Sequence, residues 1–216
     1  FAEKSCQAAL SKAKGKERSN YQFLMAHALY GQEKYDDILR LISKYNKDGR
    51  AIYWRAKAYD GLGDKEQALL LLDGNQAEGA FLAERLHFKG ILLRNLGKLE
   101  SAEKTLLLFN QLFDSHAYQI ENDYQLALLY KDQGNFNKSI SILTRLVSSE
   151  DQDLAKRAKL FKASVLIDQN ESLLEAQELL YTLINDDNFL IDYCVMAADL
   201  LAKLEIKLND PVSAIK

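Results

Sequence analysis

Ala56-Lys57-Ala58-Tyr59-Asp60-Gly61-Leu62-Gly63-Asp64-Lys65-Glu66-Gln67-Ala68-Leu69 is the stretch that decides the fold. Two small residues, Ala56 and Ala68, bracket a tyrosine and a glycine. That order suits two helices joined by a tight turn, because small side chains let helix axes approach and glycine takes the left-handed backbone that ends a helix. Sliding the chain over itself shows the stretch to be one copy of a repeat. With Ala68 as anchor, the equivalent positions are Ile38, Ala102, Ser139, Ala176 and Ala214, and successive anchors lie 30, 34, 37, 37 and 38 residues apart.

Columns aligned on the anchors each have a physical reason. Twelve residues before the anchor stand Ala26, Ala56, Gly90, Ala127, Ser164 and Ala202, all small enough for a close helix crossing. Nine before it come Leu29, Tyr59, Leu93, Tyr130 and Ile167, which fill the space beside that crossing, with Glu205 breaking the column. Five before it, Gly63, Gly97 and Gly134 suit the turn, while Glu33, Glu171 and Asn209 occupy the other three. Four after it, Ile42, Leu72, Leu106, Leu143 and Leu180 predict the buried face of each second helix. The pattern predicts first helices near 20-31, 49-61, 81-96, 118-133, 154-169 and 189-208, and second helices near 34-45, 64-73, 98-113, 135-148, 172-185 and from 211.

Composition agrees with helices. The 216 residues are 48% hydrophobic, with one proline and ten glycines, too few breakers for a sheet protein with many tight turns. A formal charge of -3 gives no general attraction to phosphate backbones, so nucleic acid is not an expected partner. The longest apolar runs, such as Leu69 to Leu72, are far too short to span a bilayer, and no membrane insertion is expected. Cys6 and Cys194 form no pairing, zinc or redox pattern.

The repeat resembles the tetratricopeptide motif over residues 20 to 216. That resemblance implies an all-α, right-handed superhelical solenoid of about six helical hairpins. The expected repeats are 20-48, 49-79, 80-115, 116-150 and 151-187, with an incomplete last one at 188-216. A leading N-terminal helix within 1-15, patterned by Cys6, Ala9 and Leu10, would cover the first unit. Since the sixth second helix stops just after Ala214 and a solenoid needs capped ends, the expectation is a single array that is part of a longer one.

No catalytic constellation is present in the sequence, and no cofactor or metal site is expected. Gly61-Leu62-Gly63 lies between helices with no strand before it, so it reads as a turn and not as half a dinucleotide fingerprint. His27, His87 and His116 are too scattered for a metal set. Asp36-Asp37, Asp186-Asp187 and the run Glu150 to Asp153 read as helix starts, where open backbone donors favour acids.

Fifteen residues before each anchor stands a ring: Phe23, Tyr53, His87, Tyr124 and Phe161. In the family resembled, this place lies on the concave first-helix surface that contacts ligand, and aromatic residues there would dominate an interface. Beside it run His27, Lys57, Ile91, Leu128 and Val165, then Tyr30, Asp60, Arg94, Lys131 and Asp168. The expected partner-binding groove therefore comprises Phe23, His27, Tyr53, Lys57, His87, Arg94, Tyr124, Lys131 and Phe161. The alternative is internal packing: one residue earlier, Gln22 and Asp123 replace the usual large apolar side chain, so Phe23 and Tyr124 could turn inward, whereas Ile52, Leu86 and Leu160 fill that place elsewhere. A lysine-and-asparagine clamp on a partner's terminal carboxylate, known in this family, is not expected, because Lys57 is its sole candidate. The function implied is a non-enzymatic scaffold or adaptor holding a protein or peptide segment. The second expectation is a homo-oligomer that stacks through open apolar ends, since the helix from Leu190 to Leu208 is apolar nearly all round.

Overall fold

The computed structural model describes residues 10–45, 48–73, 81–186 and 191–209, and every regular element among them is a helix. The chain divides into two compact units, 1–116 and 117–216. In the first unit α1 (Gly15–Tyr30) pairs with α2 (Tyr35–Leu41), α3 (Gly49–Gly61) with α4 (Lys65–Asp73), and α5 (Leu82–Asn95) with α6 (Leu99–Leu112). In the second, α7 (Gln119–Asp132) pairs with α8 (Phe136–Leu146) and α9 (Gln152–Gln169) with α10 (Leu173–Ile184), followed by α11 (Ile191–Asn209). Within each unit a first helix also packs on both helices of the hairpin before it.

These bounds follow the sequence pattern closely, with two differences. Helix α1 begins at Gly15 and not near 20, because Lys16, Glu17 and Arg18 are good helix formers that extend it. Helix α2 stops at Leu41, where the chain enters a turn closed by Tyr45 N–H donating to the Ile42 carbonyl at 3.0 Å. Most of the leading helix expected in 1-15 lies outside the described residues, of which 10–12 are helical. The second helix expected from 211 also lies outside them.

The column logic holds in the packing. The anchors Ile38, Ala68, Ala102, Ser139 and Ala176 are fully buried, as are Ile42, Leu106, Leu143 and Leu180 one turn on. Gly90 faces Leu106 so closely that a Cβ would overlap that side chain. Ser139 is accommodated at a buried anchor because its hydroxyl donates to the Ala127 carbonyl at 2.8 Å, satisfying the polar group locally.

Turns explain both the fit and its one slip. Gly63, Gly97 and Gly134 all have positive φ, and the residue after each donates back to the carbonyl of Tyr59, Leu93 and Tyr130, the six-to-one bond of a helix C-terminal cap. Glu33 takes the same left-handed backbone in the first hairpin (φ 58), and Lys34 N–H donates to Leu29. In the last complete hairpin the left-handed residues are Asn170 and Ser172 and not Glu171, and the cap bond runs from Glu171 N–H to the Leu166 carbonyl. The turn there holds one residue more. Consequently Ala163 and Leu166, not Ser164 and Ile167, take the crossing positions: both pack with Ala176 and Leu180, while Ser164 is half-exposed.

Acidic helix starts are as expected at Asp36 and Asp37, in the first turn of α2, and at Asp151, whose carboxylate accepts from Leu154 N–H at 3.1 Å. Asp186 is a correction. It lies beyond the end of α10 and pairs with Lys156 at 2.9 Å, so its role is an ion pair to the preceding first helix; Asp187 lies outside the described residues.

Candidate functional site

The ring column divides by burial. Phe23, His87 and Tyr124 are buried, while Tyr53 and Phe161 are half-buried. Gln22 and Asp123 stay in the core position one residue earlier, because each finds a polar partner on its second helix. Gln22 donates to the Leu41 carbonyl and accepts from the Tyr45 hydroxyl, and Asp123 pairs with Arg145 at 2.7 Å. Phe23 and Tyr124 nonetheless turn inward, as the internal-packing alternative expects, Phe23 into the core with Ile38 and Ile42 and Tyr124 into the core with Leu143 and Leu146.

What covers Phe23 and Tyr124 is a device repeated in both units. An arginine from the next first helix lies over the ring, Arg50 at 4.3 Å from the Phe23 centroid and Arg157 at 4.9 Å from that of Tyr124. Each arginine is held by an acid, Arg50 by Asp48 and Arg157 by Glu121 at 2.8 Å. Burial pulls the Arg157 guanidinium pKa down, but the hydrogen bond and charge of Glu121 more than offset it, and the net shift is upward. The Asp48 carboxyl is held below its usual range, mainly by its side-chain bond to Arg50. The sequence carried a signal for this device, an arginine at the head of the first helix following a ring-bearing one.

In the first unit the aromatic surface left open is a different set. His27 is exposed, and Tyr30, Tyr53, Trp54 and Lys57 are half-buried on α1 and α3. Their rings form a connected series: His27 to Trp54 at 5.4 Å, Tyr30 to Trp54 at 5.9 Å, and Tyr53 to Trp54 at 5.2 Å. Tyr53 continues it to Phe88 on α5 at 6.1 Å. Lys57 Nζ lies 4.7 Å from the Tyr30 centroid and 4.7 Å from that of Phe88, bridging three successive first helices by cation–π contact. Arg94 is half-buried on α5. Trp54 and Phe88 stand one residue after the ring column, so an alignment fixed on that column passes over them.

The corresponding first-helix residues of the second unit are engaged within the protein. Lys131 donates to Ser164 at 2.8 Å and pairs with Asp168 at 3.0 Å. Lys162 pairs with Glu175 at 2.6 Å, and Leu128 and Val165 are buried with Tyr124. Phe161 packs edge-on against Tyr124 at 5.5 Å. Among the described residues no group of His, Cys, Asp and Glu is disposed to hold a metal ion, and no helix is long and apolar enough to cross a membrane. A shallow depression on α10, lined by Leu174, Glu178 and Tyr181, gathers no acid–base pair.

Hairpins whose first helices pack on the preceding pair, with small residues at each crossing, define an α-helical repeat array. Residues 124–153 match the tetratricopeptide repeat family model. The chain is similar in structure to a tetratricopeptide repeat protein from Parabacteroides merdae ATCC 43184, at 19% identity and a TM-score of 0.72 over 96% of this chain and 80% of that one. It is similar also to the nearly identical TPR-like repeats of a Podosopora anserina protein named as a kinesin light chain, at 14% identity and a TM-score of 0.63 over 88% of this chain and 98% of that one. No curated protein matches the sequence. The fold is thus that of the tetratricopeptide repeats, whose general use is as a scaffold for protein–protein interaction.

Proposed function

We propose that this chain is a non-catalytic scaffold or adaptor that holds a segment of a partner protein on the exposed face of its first helices, chiefly α1, α3 and α5. The observation that carries the proposal is the open aromatic series Tyr30, Tyr53 and Trp54, half-exposed beside His27 and Lys57. Rigid rings at a surface supply contact area at low entropic cost, and such residues dominate interface energetics when covered. Phe23 and His87 act as internal supports, because both are buried, Phe23 in the core of the first hairpins and His87 against Phe109. In the second unit Lys131 and Tyr124 are likewise supports, engaged by Asp168 and Arg157. Trp54→Ala, at a half-buried position, is expected to weaken partner binding at least about tenfold while leaving the helical circular dichroism intact. Unchanged binding by the folded variant would overturn the proposal.

A second reading, self-association, is favoured by α11. Ala197, Leu201 and Leu204 of this helix are buried against the preceding hairpin. Its other side leaves Ile191 80% and Val195 63% exposed, with Ala198 and Ala202 also exposed. In the first four hairpins the columns of Ala198 and Ala202 are buried, so this is a face that another helix covers elsewhere in the array. Val195→Asp is expected to lower the mass measured by light scattering if copies stack through this face. A wild-type chain that stays monomeric at high concentration would remove the reading.

A further inference from the structure

Lys57 differs from the first-helix cations of the second unit. Lys131, Arg157 and Lys162 each face an acid of their own chain. Lys57 is half-buried and, among the described residues, forms neither an ion pair nor a hydrogen bond; its ammonium lies between the faces of Tyr30 and Phe88. Asp60 sits nearly one turn further along α3 and does not pair with it. Two rings remove part of the water from this ammonium without supplying a negative charge. A partly desolvated cation lacking a counter-ion favours an incoming anion more strongly than a solvated one does.

We propose that Lys57 receives the side-chain carboxylate of an aspartate or glutamate within the partner segment, with a neighbouring apolar side chain of that segment laid on Trp54. This rests on the first-helix face being the partner surface. The occupant is set by charge and shape together: one ammonium framed by rings matches one acid beside an apolar residue. It differs from a clamp on a chain terminus, which needs several basic or amide groups at successive positions. Here the Lys57 ammonium lies against the rings of Tyr30 and Phe88, and Trp54 packs on Tyr30.

The test uses an array of twelve-residue peptides of varied sequence, acetylated and amidated so that no terminal carboxylate is present. It is probed with the full 216-residue chain and with Lys57→Glu, Lys57→Arg and Trp54→Ala, each checked for helical circular dichroism. Bound peptides are expected to be enriched in Asp or Glu next to an apolar residue. Lys57→Glu is expected to lose them by about tenfold or more and to bind Lys- or Arg-containing peptides instead, while Lys57→Arg retains them. Peptides lost with Trp54→Ala but showing no acidic enrichment, or acidic peptides bound equally by Lys57→Glu, would overturn this assignment and leave the partner surface standing. Peptides indifferent to both positions, or no bound peptide at all, would overturn both.

Discussion

Gly90 shows how much of this fold is set by single atoms. Its place at the crossing of α5 and α6 has no room for a methyl group, because the fully buried Leu106 lies where a Cβ would be. Gly90→Ala is therefore expected to destabilise the chain by about 1–3 kcal/mol, despite the better helix propensity of alanine. A thermal melt as high as that of the native chain would contradict this packing. The small-residue column made the crossing legible in sequence, since Ala26, Ala56 and Ala127 repeat the same demand. Which rings stay open is not legible from the ring column alone. Phe23 and Tyr124 are closed off by Arg50 and Arg157, each supplied by another helix and fixed by an acid, so their exposure is a property of two hairpins and not of one.

At the scale of the element, the hairpin turn carries the information. Three glycines announced it at Gly63, Gly97 and Gly134, and their positive φ values follow. Glu33 adopts the same left-handed backbone with a Cβ, at a cost of about 1 kcal/mol. Glu33→Gly is expected to raise thermal stability by about that amount. The last complete hairpin supplies the control, because there Asn170 takes the left-handed place and Glu171 does not. Glu171→Gly should lower stability, by adding chain entropy to the unfolded state without relieving strain. If both variants shifted the melting temperature in the same direction, the register assigned to that turn would be wrong. One added residue in a loop moves every position before it relative to the anchor, which is why the crossing falls on Ala163 and Leu166 and not on Ser164 and Ile167.

Across the molecule, the order of hairpins was readable because a repeat states the same packing problem several times, and agreement between copies separates signal from accident. The division into units at 116 and 117 left no comparable mark, the motif running through it without a change of composition. The two units differ instead in how their first helices are occupied. Residues 117–216 engage Lys131, Arg157 and Lys162 with their own acids, whereas residues 1–116 leave the rings of Tyr30, Tyr53 and Trp54 and the Lys57 ammonium open on α1 and α3. The central claim is that this open face, and not the second-helix face, holds the partner. Calorimetric titration of an array-selected peptide into the native chain, Trp54→Ala and Leu70→Ala tests it most directly, Leu70 being 62% exposed on α4. The account predicts binding at least about tenfold weaker for Trp54→Ala and unchanged for Leu70→Ala; native-like binding by Trp54→Ala, or loss with Leu70→Ala alone, would contradict it.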